Sequence, residues 1–244
     1  MSTKFFLLWL EAPLQSWGAD SKFGRRDTLD FPTKSGVLGL LCCALGASGE
    51  QRDLLQSMSR LRQTVVSYVM ESKHAEHGKD HKDRVEREPH MMDFQMVGAG
   101  YVSNDPWQNL LIPKKIDGKS PVGNGTKMTY RYFLQDAHFA VILEIPTEEE
   151  ESFSYALTNP TYDLYLGRKC CAPTDFIFRG TFDSEGDGIA EANTIAREKG
   201  LVEDFRVEDR EHPDGDTFAV NDVPVQFGEC KKYKDRFVAV IKGP

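Results

Sequence analysis

Lys4-Phe-Phe-Leu-Leu-Trp-Leu-Glu11 holds six consecutive apolar residues with no polar alternation. That pattern fits a strand buried on both faces. Outward from it, residues 12–33 are polar, contain two glycines and two prolines, and read as a long loop. Ser35 then stands as an N-cap. Val37, Leu40, Leu41, Ala44 and Leu45 follow at the spacing of one helix face, and Gly46 and Gly49 end it. Leu54, Leu55, Met58 and Leu61 predict a short second helix, and residues 64–70 are rich in strand formers.

Beyond residue 70 the pattern breaks twice. Residues 71–88 hold six acids, five bases and three histidines, with nothing to fill a core, and read as a loop or protruding arm. Residues 94–102 predict a strand, and 103–127 form a second excursion rich in Gly, Pro, Asn and Lys. Two β runs follow, 128–134 with Tyr130, Tyr132 and Leu134 on one face, and 137–145. Thr147-Glu-Glu-Glu150 has the form of a capping box that opens a helix with Phe153, Ala156 and Leu157 inward. A short strand is expected over 164–167, and closing strands over 217–227 and 233–242. The order β-α-β, excursions, β-α-β fits an α+β fold with a ferredoxin-like (RRM-like) sheet and a long insertion.

The composition is that of a folded globular protein: 244 residues, 40% hydrophobic and 28% charged. No apolar run approaches the roughly 18 residues a membrane span needs. The run after Lys4 is too short for a secretory signal core and is interrupted by Glu11 and Pro13. The five cysteines are odd in number, with two adjacent pairs, Cys42–Cys43 and Cys170–Cys171. Such spacing is neither a disulfide framework nor a metal-binding pattern, so reduced thiols and a cytoplasmic location are expected.

The net charge of −8 argues against a nucleic-acid partner until its distribution is considered. Residues 183–216 carry twelve acids and four bases, which is the whole imbalance. Residues 112–134 carry Lys114, Lys115, Lys119, Lys127 and Arg131 against Asp117 alone. A basic arm apart from an acidic segment fits a subunit that meets a polyanion on one side; solvated surface is the alternative.

The densest set of motifs is Leu14-Gln-Ser-Trp-Gly18, Phe23-Gly-Arg-Arg26 with Thr28, and Phe31-Pro-Thr-Lys-Ser-Gly-Val-Leu-Gly-Leu-Leu41. In the last, a loop feeds a helix N-terminus where free N–H groups, the hydroxyls of Thr33 and Ser35, and Lys34 converge, as a phosphate requires. Arg25 and Arg26 precede it, and Trp17 offers a flat face for a base. A capped helix beside a surface Trp fits the same residues.

These segments resemble the N-terminal signature of the CasD-type family, subunits of the CRISPR type I-E Cascade surveillance complex. Tyr130-Arg-Tyr-Phe-Leu-Gln-Asp-Ala137 is similar to that family's paired strands, and Tyr165-Leu-Gly-Arg-Lys-Cys-Cys-Ala-Pro173 to one of its turns. The resemblance spans about residues 5–180. It implies an RRM-like core over 1–182 with a β-hairpin thumb inserted within about 71–127. Residues 183–216, which match nothing in the family pattern, read as an acidic insertion, and 217–244 as a short C-terminal β-rich extension.

In function, the resemblance implies a noncatalytic RNA-binding subunit that holds the 5′ handle of the guide RNA in antiviral defence, with no cofactor. Its expected partners are the guide, the large PAM-reading subunit, the first backbone subunit and, indirectly, target DNA. Arg25, Arg26, Thr33, Lys34, Ser35, Arg131, Arg168 and Lys169 would contact the handle, with Trp17 stacking on a base. Lys114, Lys115 and Lys119 would supply looser backbone contacts from the thumb. The alternative is a metal-independent endoribonuclease that processes precursor RNA, as in type I-C relatives.

Weaker motifs carry less. His74, His77 and His81 have the spacing of metal ligands on a helix, or of general acid–base groups, but no apolar face to rigidify them. Asp183-x-Glu185-x-Asp187-Gly188 opens like a calcium loop, but the twelfth position is Thr194, so an acidic turn is the better reading.

Overall fold

The computed structural model describes residues 2–18, 21, 24–71, 85–97, 104–107, 115–119, 127–210, 212–213 and 215–243. The thumb calls at Lys114 and the three histidines at 74, 77 and 81 lie outside the described residues.

The chain runs β1 (Thr3–Gln15), β2 (Trp17–Gly18), β3 (Arg25–Arg26), β4 (Thr28–Leu29), α1 (Lys34–Leu45), α2 (Arg52–Met58), β5 (Gln63–Met70) and β6 (Met91–Val97). It continues through β7 (Lys127–Pro146), a 3-10 turn (Thr147–Glu149), α3 (Glu150–Thr158), β8 (Phe178–Phe182), α4 (Glu185–Glu198), β9 (Leu201–Glu208), β10 (Asp216–Gln226) and β11 (Lys232–Lys242). The main sheet has the order β10-β11-β9-β5-β7-β1-β8, every neighbour antiparallel. β3 and β6 are added to opposite edges of the first half of β7.

The unbroken apolar run lies in β1, with β7 on one side and β8 on the other. Because side chains alternate, Phe6, Leu8 and Leu10 enter one core with Val37, Leu41, Leu55 and Phe153 of the helices α1, α2 and α3. Phe5, Leu7 and Trp9 enter a second core under α4, against Ala192 and Ala196. A layer on each face is what allows six successive apolar residues. Truncating any one of the leucines to Ala would cost about 2–5 kcal/mol.

Several local expectations are corrected. The loop of 12–33 is partly sheet: β1 runs on to Gln15, and β2, β3 and β4 follow. Thr33, not Ser35, caps α1, its Oγ1 accepting from the Gly36 N–H at 3.2 Å. The two β runs after residue 127 are one 20-residue strand, with Asp136 at a positive φ of 42° where they were divided. Thr147 forms no capping box. Its Oγ1 is buried without a partner, and the chain enters α3 through the 3-10 turn. Residues 164–167 form a turn rather than a strand.

The largest correction concerns 183–216. This segment is not an appendage to the fold: it supplies α4 and β9, and β9 sits between β5 and β11 in the main sheet. Its acids lie toward the outer side of α4, whereas those of β9 are part-buried and Glu208 is buried; Ala192, Ala196, Leu201 and Val207 turn inward. The Asp183–Asp187 turn is the start of α4, with Ser184 Oγ accepting from the Asp187 N–H at 3.1 Å and Asp183 paired with Lys4.

Candidate nucleic-acid interface

The corner from Phe31 into α1 is the first candidate, and polypeptide closes it. The Lys34 N–H donates to Asp222 Oδ2 of β10 at 2.7 Å. Arg236 of β11 clasps the same carboxylate with Nε at 2.7 Å and Nη2 at 2.8 Å, and also pairs with Asp209. The Lys34 side chain is 2% exposed and donates to the Leu61 carbonyl and, at 3.2 Å, to Asp209. Burial pushes its ammonium down to about 8; the Arg236 guanidinium adds to the shift, and Asp222 and Glu144 oppose it. Thr33 is buried as the cap. The expected phosphate cradle at Thr33 and Lys34 is therefore met within the chain, Lys34 by Asp222, Asp209 and the Leu61 carbonyl and Thr33 by the Gly36 amide.

Trp17 is likewise corrected. It is 1% exposed within the main core; its Nε1 donates to Gln15 Oε1 at 3.1 Å and its backbone N–H to Thr28 Oγ1 at 2.8 Å. Trp17 borders the groove that Ser35 and Lys169 line, but at 1% exposure it presents almost no surface to a base.

The arginines do come together. β3 pairs in parallel with β7, Arg25 opposite Tyr130 and Arg26 opposite Arg131. Gly24 makes this approach possible: its carbonyl accepts from the Tyr130 N–H at 2.8 Å, and a Cβ there would sit 2.7 Å from the Met128 oxygen. Arg168 reaches the same strand pair from the turn at 165–171, donating from Nη2 to the Arg26 carbonyl at 3.0 Å. Its guanidinium lies 4.6 Å from the Phe133 ring centroid. Burial lowers the Arg168 pKa, and the neighbouring charges of Arg131 and Arg26 lower it further. Three guanidiniums thus crowd one side of the ribbon, with Asp93, the register partner of Arg131, as the nearby acid on β6.

The turn that carries Arg168 is pinned by Gly167. Its φ is +96°, and a Cβ there would lie 1.7 Å from the Ser16 carbonyl oxygen, so no other residue fits. The Ser16 N–H donates to the Leu166 carbonyl at 3.1 Å, tying this turn to the end of β1. Lys169, next in sequence, lines a groove of about 560 Å³. Ser35, Tyr165, Phe227, Lys231 and Tyr233 also line that groove. Ser35 and Tyr233 extend into an adjoining hollow of about 730 Å³ beside Leu29 and Phe218.

Of the expected contacts, Arg26, Arg131 and Arg168 therefore share one surface, and Ser35 and Lys169 share another that begins one residue away, with the buried Thr33 and Trp17 at its border. Arg25 is exposed and paired with Asp27 at 2.8 Å. Lys115 and Lys119 face each other across a tight turn, the Lys115 N–H donating to the Lys119 carbonyl at 2.9 Å. Phe227, Lys231 and Tyr233 carry only the signal of two strands and the hairpin between them, and Tyr165 only that of the turn motif, so spacing along the chain does not single them out. Among the described residues no cluster of three or more His, Cys, Asp or Glu is placed to hold a metal ion. No described helix is long and apolar enough to cross a membrane.

Residues 5–239 match the family described as CRISPR-associated protein (Cas_Cas5). The CRISPR system Cascade subunit CasD of Escherichia coli (strain K12) is 28% identical over 180 residues, 72% of this chain and 70% of that protein. A chain of a solved CRISPR RNA-guided surveillance complex is similar in fold, with a TM-score of 0.69 at 23% identity over 98% of this chain and 90% of that one. A crystal structure of a Cas protein gives a TM-score of 0.55 at 27% identity, over 98% and 95% of the two chains.

Proposed function

The chain belongs to the Cas5 family of CRISPR-associated proteins, and from that premise we propose that it is the Cascade subunit that holds the 5′ handle of the guide RNA. The observation that carries this reading is the gathering of Arg26, Arg131 and Arg168 on one side of the β3–β7 pair. Like charges held together cost free energy unless an anion completes them, and a polynucleotide backbone supplies several in a row. The handle's backbone crosses the three arginines, passes the Gly167 turn, and enters the groove where Lys169 and Lys231 stand with Tyr165 and Tyr233. Unpaired bases stack on such tyrosines, and Ser35 Oγ faces the same space.

The strand order β8-β1-β7-β5, with α1 and α3 on one face, supports reading this part as a ferredoxin-like (RRM-like) core. β6 with the first half of β7 forms the base of the thumb. The partners in this reading are the guide, the large PAM-reading subunit and the first backbone subunit. Target DNA is read by pairing with the guide, as in other RNA-guided effectors. The role is binding, without catalysis.

The test is the guide-loaded complex with Arg131→Ala/Arg168→Ala in this subunit. The expected result is weaker protection of the guide's 5′ end from nuclease, with the chain still folded. Protection equal to wild type would remove the arginines from the handle site. Incubating the purified chain with repeat RNA and EDTA tests the remaining reading: discrete cleavage would make it a ribonuclease instead.

A further inference from the structure

The arginines around β3 are held in different ways. Successive residues of a strand face opposite sides. On one side Arg25 pairs with Asp27 and lies 4.8 Å from the Tyr132 ring centroid. On the other, Arg26 is exposed, and among the described residues its side chain has no hydrogen-bond or ion-pair partner. Arg168 is fixed instead. Its Nη2 donates to the Arg26 carbonyl at 3.0 Å, its Nη1 is buried without a hydrogen-bond partner, and its guanidinium lies 4.6 Å from the Phe133 ring centroid. Phe133 is itself 2% exposed in the main core. The fork that would grip a phosphate with two parallel bonds is turned inward.

What Arg168 holds is a strand of two residues. Strand pairing that short is marginal in water without further support. The Gly24 carbonyl, which accepts from the Tyr130 N–H at 2.8 Å, ties the strand at its start, and Arg168 ties it at Arg26. The mount is stiff. The Arg168 carbonyl accepts from the Cys171 N–H at 2.8 Å, and the Cys171 carbonyl from the Leu166 N–H at 2.8 Å, which closes the turn. Ser16 joins that turn to the ribbon: its N–H donates to the Leu166 carbonyl at 3.1 Å and its Oγ to the Tyr132 carbonyl at 3.2 Å.

We propose that Arg168 is a positioning residue: it fixes β3 so that the free Arg26 side chain meets a phosphate of the guide, and it takes no phosphate itself. The inference rests on the reading that the handle crosses the arginine cluster, and it assigns the grip to Arg26 and Arg131 and the hold to Arg168. A strand fixed in advance leaves only the Arg26 side chain to be ordered when RNA binds, which lowers the entropic cost of the contact. A planar guanidinium suits the role, because its face lies on a ring while its edge donates to a carbonyl. The compact ammonium of a lysine cannot do both.

The test titrates the full chain with a single-stranded, repeat-derived RNA that carries the handle, from low to high salt. Arg168→Ala and Arg168→Lys should each lower affinity about fivefold while the salt slope stays at the wild-type value, because no phosphate contact is lost. The lysine variant keeps the charge, so it also serves if the alanine variant fails to fold. In an Arg26→Ala background, Arg168→Lys should change affinity by less than about twofold, since nothing is left to position; a general loosening of the fold would add its loss in full. A slope flattened by about 0.7 in Arg168→Ala, wild-type affinity in Arg168→Lys, or additive losses in the double variant would overturn the proposal while leaving the handle reading standing. A wild-type chain that does not bind this RNA, or a wild-type slope in Arg26→Ala, sinks the handle reading and the proposal with it.

Discussion

The backbone N–H of Lys34 donates to the Asp222 carboxylate at 2.7 Å across 188 residues of sequence. This bond ties the start of α1 to β10, and it puts a carboxylate where the residue types alone invite a phosphate. A helix N-terminus carries unpaired donors and a partial positive charge, and an internal anion satisfies both as well as a ligand would.

Removing that carboxylate should therefore affect folding. Asp222→Ala leaves Arg236 and the Lys34 amide buried without their shared partner, and the expected loss is about 3–5 kcal/mol in denaturant unfolding. A loss below about 1 kcal/mol would mean that water replaces the carboxylate freely.

Lys34 itself gives a pH signature. Its ammonium titrates at about 8 in the fold against 10.5 ordinarily. Between those values the unfolded chain holds more protons than the folded one, so the Lys34 contribution to stability rises with pH across that window. Lys34→Met should abolish this rise while leaving guide binding within about twofold, since no measurable RNA contact is lost. Unfolding curves at pH 7 and pH 9.5 decide it.

Trp17→Ala should destabilise the chain by about 3–5 kcal/mol, the usual cost of an emptied aromatic site. Trp17→Phe keeps most of the volume but strands Gln15 Oε1, at about 1–3 kcal/mol. Neither should change the handle's footprint in the fraction that folds. A large loss of guide affinity with normal stability would restore Trp17 as a stacking residue.

Arg25 and Arg26 should part company. They are adjacent in sequence but face opposite sides of the ribbon. Arg26→Ala should flatten the salt dependence of guide binding by about 0.7 of a slope unit, one single-strand phosphate contact, and Arg25→Ala should not. Equal slopes in titrations from low to high salt would merge the two faces.

Acid should loosen the junction between β1 and α4. Burial alone would raise the pKa of Glu11, but hydrogen bonds from Lys199 at 2.8 Å and from the Trp9 indole outweigh it and hold the carboxyl below its ordinary 4.5. Asp175, also 2.8 Å from Lys199, is lowered in the same way. A depressed carboxylate stabilises above its ordinary pKa, and that stability is lost as pH falls through the folded value. Glu11→Gln should therefore shrink the fall in melting temperature between pH 6 and pH 3; an unchanged fall would contradict this.

Much of the element order was legible from periodicity. The apolar run in β1, the α1 face ending at Gly46, and the β5, β10 and β11 strands all follow from side-chain spacing, which acts within a few residues. The acidic 183–216 segment misled because charge density hides a small apolar stripe: Ala192 and Ala196 are weak signals singly, and they gain meaning only against the β1 and β7 side chains beneath α4.

Local pattern decided where donors, cations and aromatic rings occur along the chain, and with it the gathering of basic residues near β3, β7 and the 165–171 turn. Long-range packing decided which of them remain available. Lys34 is taken up by Asp222 and Asp209, distant in sequence, Thr33 by the amide of its own helix and Trp17 by burial in the main core, and Arg25 and Arg26 are divided between two faces by the pairing of β3 with β7. The physical reason is that residue type sets what a group can bond to, whereas burial and strand register set whether a partner within the chain reaches it first.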